Sequence, residues 1–573
     1  MRNRDDALTP VSTVAFAMYP TQLLGRGIMQ IKRAVLSGLV IGAILAASGC
    51  SGRSASETGD AAKAGKFSAT TAPAVGEAGP VSWALFRATN TLDPIRAFDS
   101  PEQLPLTAMC ETLLQQQPDL SIKAGLATSA KYVDDHTLVL ELRDDATFWD
   151  GSPVTADDVA YSLERSRSSE LGGYFSAAFT RVSSITATAA HEVTIALSEP
   201  DYWLRSTLSA MPGVVVQKAF AEAAGKNFGN PGTGVLCSGP FTLRSWSAGG
   251  DVVVERNKSY WNKAKAALVP SVTCTPVSND ANLAAAGKTG DIDGYYVVGS
   301  SVYKELRDSG SLNVTSGPSL ITDLLAVADP KGPLADLRLR EALSLAIDRH
   351  SYIQQVYSGE ASLPASMSSP GTWGYSKPVF KETLGAQPPL AHDVAKAKKL
   401  VSEAGAKGKT VTMAVASGII AFQAMSTTVK EALESIGLKL ELKTVSLDKY
   451  NEMYFNPEAR AGIDIFPSIN NPIAPEPAPF LGDMAMPGGA YNFLGWSDDK
   501  VTQLLDLSRR TADDDERARL VAQADERITA GLPQIPMAQP YNVLYLNKKL
   551  TGAPASYSYA AGEWANLIGK AAK

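Results

Sequence analysis

Ala146-Thr147-Phe148-Trp149-Asp150-Gly151-Ser152-Pro153-Val154-Thr155-Ala156-Asp157-Asp158-Val159 passes from a strand end through a turn into a helix. Asp150 to Pro153 is turn chemistry, because glycine tolerates positive φ and proline fixes its own. The Thr155 hydroxyl can cap the first helical turn, where Asp157 and Asp158 complement the positive end of the helix dipole. Val159 and Leu163 are then i, i+4 neighbours on the buried side. Upstream, 131–133 and 137–143 flank Asp134-Asp135-His136, with Leu138, Leu140 and Leu142 alternating, which predicts a hairpin. The alternation recurs at 191–197 through Val193, Ile195 and Leu197. Further out, Val81 to Phe86 reads as another strand, so this first region is mostly strand and loop.

The second half has a different period. Asp336 can cap a helix in which Leu339, Ala342, Leu343, Ala346 and Ile347 form one apolar stripe, with Gly359 as its stop. A helix at 393–404 ends at Gly405. Val411, Met413 and Val415 then share a strand face, a helix runs over 421–435, and Leu438, Leu440 and Leu442 alternate with charged residues. This is a βαβ unit, whose crossover should be right-handed. Two amphipathic helices follow, over 500–509 and 513–528.

The chain has 573 residues, too many for one hydrophobic core. Its 45% apolar and 20% charged content exclude a disordered chain, and a net charge of -6 gives a nucleic-acid partner no electrostatic footprint. Lys32 and Arg33 precede the uncharged run Ala34 to Gly49, which ends at Cys50. This is the pattern of an export signal, shorter than the ~20 residues of a membrane span. It resembles a bacterial lipobox, with Ala47 where Leu is usual, and Cys50 is the expected lipid-attachment residue. Residues 1–28 read as a mis-annotated leader, with Met29 the start and 29–49 the signal peptide. Residues 50–79 have almost no large apolar side chains and are expected to be a flexible tether. In an exported protein the remaining Cys110, Cys237 and Cys274 allow three single pairings, among which sequence alone does not choose. Cys110 falls in a helical stretch and reads as a small buried hydrophobe.

Catalytic chemistry finds little support. His136, His191, His350 and His392 form no local metal motif, and the chain carries no GxSxG, HExxH, Walker or GxGxxG signature. Paired acids at Asp157 and Asp158, Asp291 and Asp293, and Asp498 and Asp499 read as helix starts and a turn rather than as a glycosidase pair.

Several segments, in order, resemble the extracellular solute-binding protein family 5, the peptide- and nickel-binding lipoproteins of ABC importers. The opening stretch is similar to the family's FxDGxPxTAxDV signature. Cys237-Ser238-Gly239-Pro240-Phe241 resembles its GTGPF turn, and Glu255 to Trp261 its RNxxYW strand end. Gly290-Asp291-Ile292-Asp293 resembles its GxxD element and Asp336 to Arg349 its DxRxRxALxxAIDR helix. The likeness covers nearly all of residues 80–550.

This resemblance implies an α/β, type II periplasmic-binding-protein-like clamp of two lobes. Lobe I is expected over 80–297 plus 526–573, with a β-rich subdomain inserted at about 126–230, and lobe II over 298–525. Because Cys237 replaces the turn's usual glycine, a Cys237–Cys274 disulfide across neighbouring strands is the expected pairing. The family's ligand-binding acid lies in a DPDP-like segment. Here Ser468 to Pro477 carries Asn470 and Asn471 instead, with Glu476 a candidate substitute. Tyr295 and Tyr296 after the GxxD element, and Trp373 and Tyr375 in a Gly- and Pro-rich loop, are further candidate ligand-binding residues. The implied protein is a monomeric, lipid-anchored, extracytoplasmic non-enzyme without cofactor or metal, binding a peptide or other small polar ligand for ABC permease subunits in the membrane. The alternatives are the same scaffold binding an oligosaccharide, haem or metal chelate, and a non-transport envelope lipoprotein binding a protein partner.

Overall fold

A computed structural model describes residues 66–277, 279–297, 303–308 and 310–572. The leader, the signal segment and Cys50 lie outside them.

The Thr155 turn forms as its chemistry dictates. Gly151 takes φ of 86°, Thr155 Oγ1 accepts from the Asp158 N–H, and Asp158 Oδ2 accepts in return from the Thr155 N–H at 3.0 Å, a capping box for the helix Ala156–Arg167. Asp158 Oδ1 also takes the Lys218 N–H at 2.8 Å, tying the helix start to the chain that leaves the subdomain. The helix buries Val159 and Leu163 against Leu138, Leu140, Val193 and Ile195. Those residues come from an antiparallel sheet in the order Ala127–Asp134, Thr137–Leu142, Glu192–Leu197, Val182–Ala189. The inserted β-rich unit is thus a sheet with one helix across it.

Lobe I is built on an eight-stranded sheet. Its order is Lys66–Phe67, Leu312–Gly317, Asn542–Asn547, Gly294–Val297, Val81–Leu85, Ser271–Pro276, Val252–Arg256 and Phe241–Trp246. Trp83, fully buried in a central strand, packs on Trp564 and Tyr296. Lobe II holds a six-stranded sheet in the order Ala361–Ser362, Gln534–Pro540, Thr322–Val327, Ile465–Asn470, Thr410–Ala416, Lys439–Val445. Thr410–Ala416 and Lys439–Val445 are parallel and joined by the helix Ile420–Ser435, the expected βαβ unit.

Four expectations need correction. The lobes exchange the chain at 318–321, between Leu312–Gly317 and Thr322–Val327, and at Tyr541, between Gln534–Pro540 and Asn542–Asn547, rather than at 297/298 and 525/526. Both crossings lie between consecutive strands, and hydrogen-bond pairing, which leaves no trace in apolar periodicity, assigns each strand to its sheet. Residues 66–79, expected in the tether, are fastened to lobe I. Ser68 N–H donates to Ser316 O at 2.7 Å, Val75 N–H to Lys570 O at 2.9 Å and Ala78 N–H to Leu268 O at 3.0 Å. Low apolar content misses order held by backbone hydrogen bonds. The Asp336 helix stops at Ala346, and Asp348 caps a second helix, Arg349–Tyr357, turned by a buried Arg349 that donates to Ser344 and Pro536.

The disulfide joins Cys110 to Cys237, whose Cα atoms are 4.9 Å apart, and not Cys237 to Cys274. Cys110 ends the helix Ser100–Met109 in extended conformation, and the Gly239 N–H donates to Met109 O at 2.8 Å, laying the Cys237 turn across that helix end. Cys274 stays a free thiol within the sheet, opposite Val252, where burial pushes its pKa up to about 12.

Candidate functional site

A cavity of about 400 Å³ separates the lobes. Lobe I supplies Phe98, Asp99, Gln103, Gln116, Tyr174, Phe175, Asp201, Trp203 and Tyr557, and lobe II supplies residues of the 469–491 segment together with Arg509. Aromatic walls with a few polar groups are the usual make-up of a small-molecule site.

Local folding fixes the polar groups. Asp99 caps the helix Ser100–Met109 by accepting from the Ser100 N–H at 2.8 Å, and it pairs with Arg87 at 3.2 Å, which Glu102 also holds. Burial raises the Asp99 pKa to about 6 despite that guanidinium. Asp201 receives both Nε and Nη2 of Arg509, at 2.9 and 2.5 Å, across the lobe boundary. The Arg509 guanidinium lies 5.1 Å from the centre of the Trp203 ring.

Glu476 caps the helix Pro477–Ala485 through the Ala478 N–H. Its Oε1 receives the Tyr375 hydroxyl at 3.3 Å and its Oε2 faces Ser206 Oγ of lobe I at 3.5 Å. Burial pushes its pKa up to about 7, against the pull of the Arg517 charge, the Ala478 N–H and the Tyr375 hydroxyl. Two turns along the same helix, Asp483 is likewise raised to about 7 by burial, opposed by the Ala490 N–H.

Asn470 is held by Ser468 and Gln534, and Asn471 Nδ2 donates to the Tyr557 hydroxyl of lobe I at 2.5 Å. Four buried atoms in the cavity wall, Gln103 Oε1, Gln116 Oε1, Asn471 Oδ1 and Trp203 Nε1, have no partner among the described residues. Such groups are costly unless something else satisfies them.

Of the residues singled out from sequence, Asn470, Asn471 and Glu476 meet in this wall. Tyr375 stands behind Glu476, and Trp373 stacks on Phe380 in the lobe II core, 5.8 Å between centroids. Tyr295 and Tyr296 lie inside lobe I instead. Tyr295 stacks on Tyr545 at 4.7 Å and Tyr296 on Tyr559 at 3.9 Å, because their strand is central in the large sheet. Sequence reasoning missed Gln103, Gln116, Asp201, Trp203, Asp483 and Arg509. Only Asp99-Ser100-Pro101, a helix-start signature, carried a local signal near this group. Among the described residues no three His, Cys, Asp or Glu side chains cluster to hold a metal, and no helix is long and apolar enough to cross a membrane.

Further contacts bridge the lobes beside the cavity. Arg181 pairs with Asp506 at 3.0 Å, Arg205 with Asp514 at 3.1 Å, Lys377 with Asp119 at 3.2 Å and Arg510 with Glu199 at 2.7 Å.

The model of the bacterial extracellular solute-binding proteins, family 5 middle, matches residues 121–492. The periplasmic murein peptide-binding protein MppA of Escherichia coli is 31% identical over 339 residues, 55% of this chain and 61% of MppA, so this match spans less than two thirds of that relative. The glutathione-binding protein GsiB of Salmonella typhi is 24% identical over 469 residues, covering 81% of this chain and 89% of GsiB. Among solved structures, E. coli murein tripeptide binding protein MppA superposes with a TM-score of 0.69 at 23% identity, covering 87% of this chain and 100% of that one. Bacillus subtilis oligopeptide-binding AppA, in complex with a nonapeptide, gives 0.71 at 18% identity, with coverage of 87% and 100%. At these identities the superpositions establish the fold, a two-lobed type II periplasmic binding protein. The family match extends through the inserted subdomain, both lobes and the cavity wall to Asn492, and on that ground the chain belongs to the bacterial extracellular solute-binding proteins of family 5, which capture a solute and catalyse no reaction on it.

Proposed function

We propose that the chain is the lipid-anchored substrate-binding component of an ABC importer, capturing a peptide between its lobes and presenting it to a membrane permease. The observation that carries this reading is the interlobe cavity, whose wall combines aromatic side chains with unpartnered amide and indole groups. A peptide backbone offers donors and acceptors in alternation, which suits a wall that mixes polar and aromatic side chains. Relatives whose names record murein peptide, oligopeptide and glutathione binding point the same way. The lobes would close by hinge motion at 318–321 and Tyr541, driven by a ligand that binds the closed state more tightly.

Attachment at Cys50 would keep the clamp beside its permease after export. Intact-mass measurement of protein taken from membranes checks this. The account expects an acylated species lost in Cys50→Ser, and an unmodified mature N-terminus contradicts it.

A thermal-shift screen of the purified full chain against di- to pentapeptides, oligosaccharides and haem tests the ligand class, since a ligand that binds only the native state raises the melting temperature. A shift with peptides alone is expected. A shift with sugars or haem and none with peptides overturns the reading.

A further inference from the structure

The lobe II helix Arg349–Tyr357 ends in two left-handed residues, Ser358 with φ of 50° and Gly359 with φ of 87°. Such a turn stops a helix and sends the chain off at an angle. It delivers Glu360, 1% exposed, to the start of the edge strand Ala361–Ser362. The Glu360 carboxylate faces the other lobe. Its Oε1 accepts from Arg307 Nη2 at 2.8 Å and its Oε2 from the Ser316 hydroxyl, and both donors belong to lobe I. Arg307 lies on the helix Tyr303–Asp308, and Ser316 comes just ahead of the crossing at 318–321. The backbone of Glu360 holds the second crossing, because the Tyr541 N–H donates to Glu360 O at 3.0 Å. One residue of lobe II thus ties both of the described places where the chain passes between the lobes.

The lobe I side of this contact is itself fastened. Ser316 O accepts the Ser68 N–H at 2.7 Å, and a Cβ on the neighbouring Gly317 would come within 2.9 Å of Ser68 O. The Phe67 ring packs on that of Tyr541, 4.8 Å between centroids. Two crossings by themselves let one lobe bend, twist and slide on the other. A contact on the line between them leaves rotation about that line and opposes the rest. Separating a buried, hydrogen-bonded charge pair leaves both ions desolvated without a partner, so such a pair resists displacement more than an exposed one. Arg181–Asp506 and Arg205–Asp514, which also join the lobes, are the more exposed pairs.

We propose that Glu360 is the positioning residue of the hinge, a buried carboxylate that binds both chain crossings and confines the lobes to the one rotation that closes the cavity, an inference that rests on the closure proposed above. Confinement serves capture. A free protein that spends less time in orientations unable to bind loses less affinity to them.

Pulsed dipolar spin resonance on the purified full chain, labelled at Ser183→Cys and Lys500→Cys, reads the separation of the lobes. Both positions are exposed, and the nearby Arg181 and Asp506 touch at 3.0 Å. Wild type without ligand is expected to give one narrow distance distribution. Glu360→Gln, and independently Ser316→Ala, should broaden it at least about twofold, and the broadening should persist at 1 M salt because a buried pair is screened little. Val254→Ala opens a cavity in Val252–Arg256, toward the far edge of the lobe I sheet from both crossings, so it should lower the melting temperature and leave the distribution narrow. A Glu360→Gln distribution as narrow as that of wild type, beside a melt lowered as in Val254→Ala, overturns the proposal and leaves an ordinary structural ion pair. If Glu360→Gln loses its cooperative melt, Ser316→Ala, which removes one donor and no charge, decides. A pool of di- to pentapeptides added to wild type tests the closure separately. A shortened distance supports closure, and an unchanged one tells against it while the ligand-free comparison still decides the role of Glu360.

Discussion

Glu476 carries three tasks at once, as helix cap, as hydrogen-bond acceptor for Tyr375 and as cavity wall, and burial raises its pKa to about 7. An unfolded Glu titrates near 4.3 and an unfolded Asp near 3.9. For Glu476 and Asp483 the folded state therefore holds protons that the unfolded state has released. The stability they contribute is fully present below about pH 4 and is lost as pH rises through about 7. Melting curves of the ligand-free protein should show this loss between about pH 4 and 7, with a shallower slope in Asp483→Asn. Glu111, which accepts from Ser238, Tyr260 and Trp261 and is also raised to about 7, adds to the wild-type slope, so the difference between wild type and variant is the informative quantity. Asn470, Asn471 and Glu476 were legible in the sequence because they occupy one local segment. Asp201 and Arg509 were not, since 308 residues separate the partners of their fork and neither has a local signature.

The helix Ala156–Arg167 shows how much of the fold is written locally. Its cap, its acidic first turn and its buried Val159 and Leu163 follow from neighbouring residues, and all of them form. Thr155→Ala removes the reciprocal cap and should cost about 1 kcal/mol in urea unfolding, against almost nothing for Thr128→Ala on the exposed side of the subdomain. The Cys110–Cys237 bridge spans a sequence separation of 127, so Cys237→Ser should destabilise by about 2–4 kcal/mol, while Cys274→Ser should leave the melt of non-reduced and reduced protein equally far apart. Strand neighbourhood pointed to Cys274 as the partner. The determining contact is instead the turn lying on a helix end, a tertiary arrangement without sequence period. The same limit hid the true lobe crossings, because alternation places a strand but does not say which sheet receives it.

Across the whole molecule, the described ion pairs that join the lobes run from the inserted subdomain to the helices Asp499–Arg510 and Asp514–Gly531, the exceptions being Lys377 with Asp119 and Arg307 with Glu360. Asp506→Asn removes the interlobe partner of Arg181, which keeps Glu199 at 3.4 Å, and the i,i+4 partner of Arg510 within its own helix, each pair being partly exposed and worth about 0.2–1 kcal/mol. Closure, and with it ligand affinity, should weaken about two- to fivefold, and the difference from wild type should fade at 1 M salt, where screening is over about 3 Å. The measurement that bears most directly on the clamp as a peptide-capturing device is mass spectrometry of what the purified full chain releases when denatured. The account predicts a peptide at close to one per protein molecule, and none from a preparation unfolded and refolded before analysis. A stoichiometric sugar, haem or acidic metabolite in its place would contradict it.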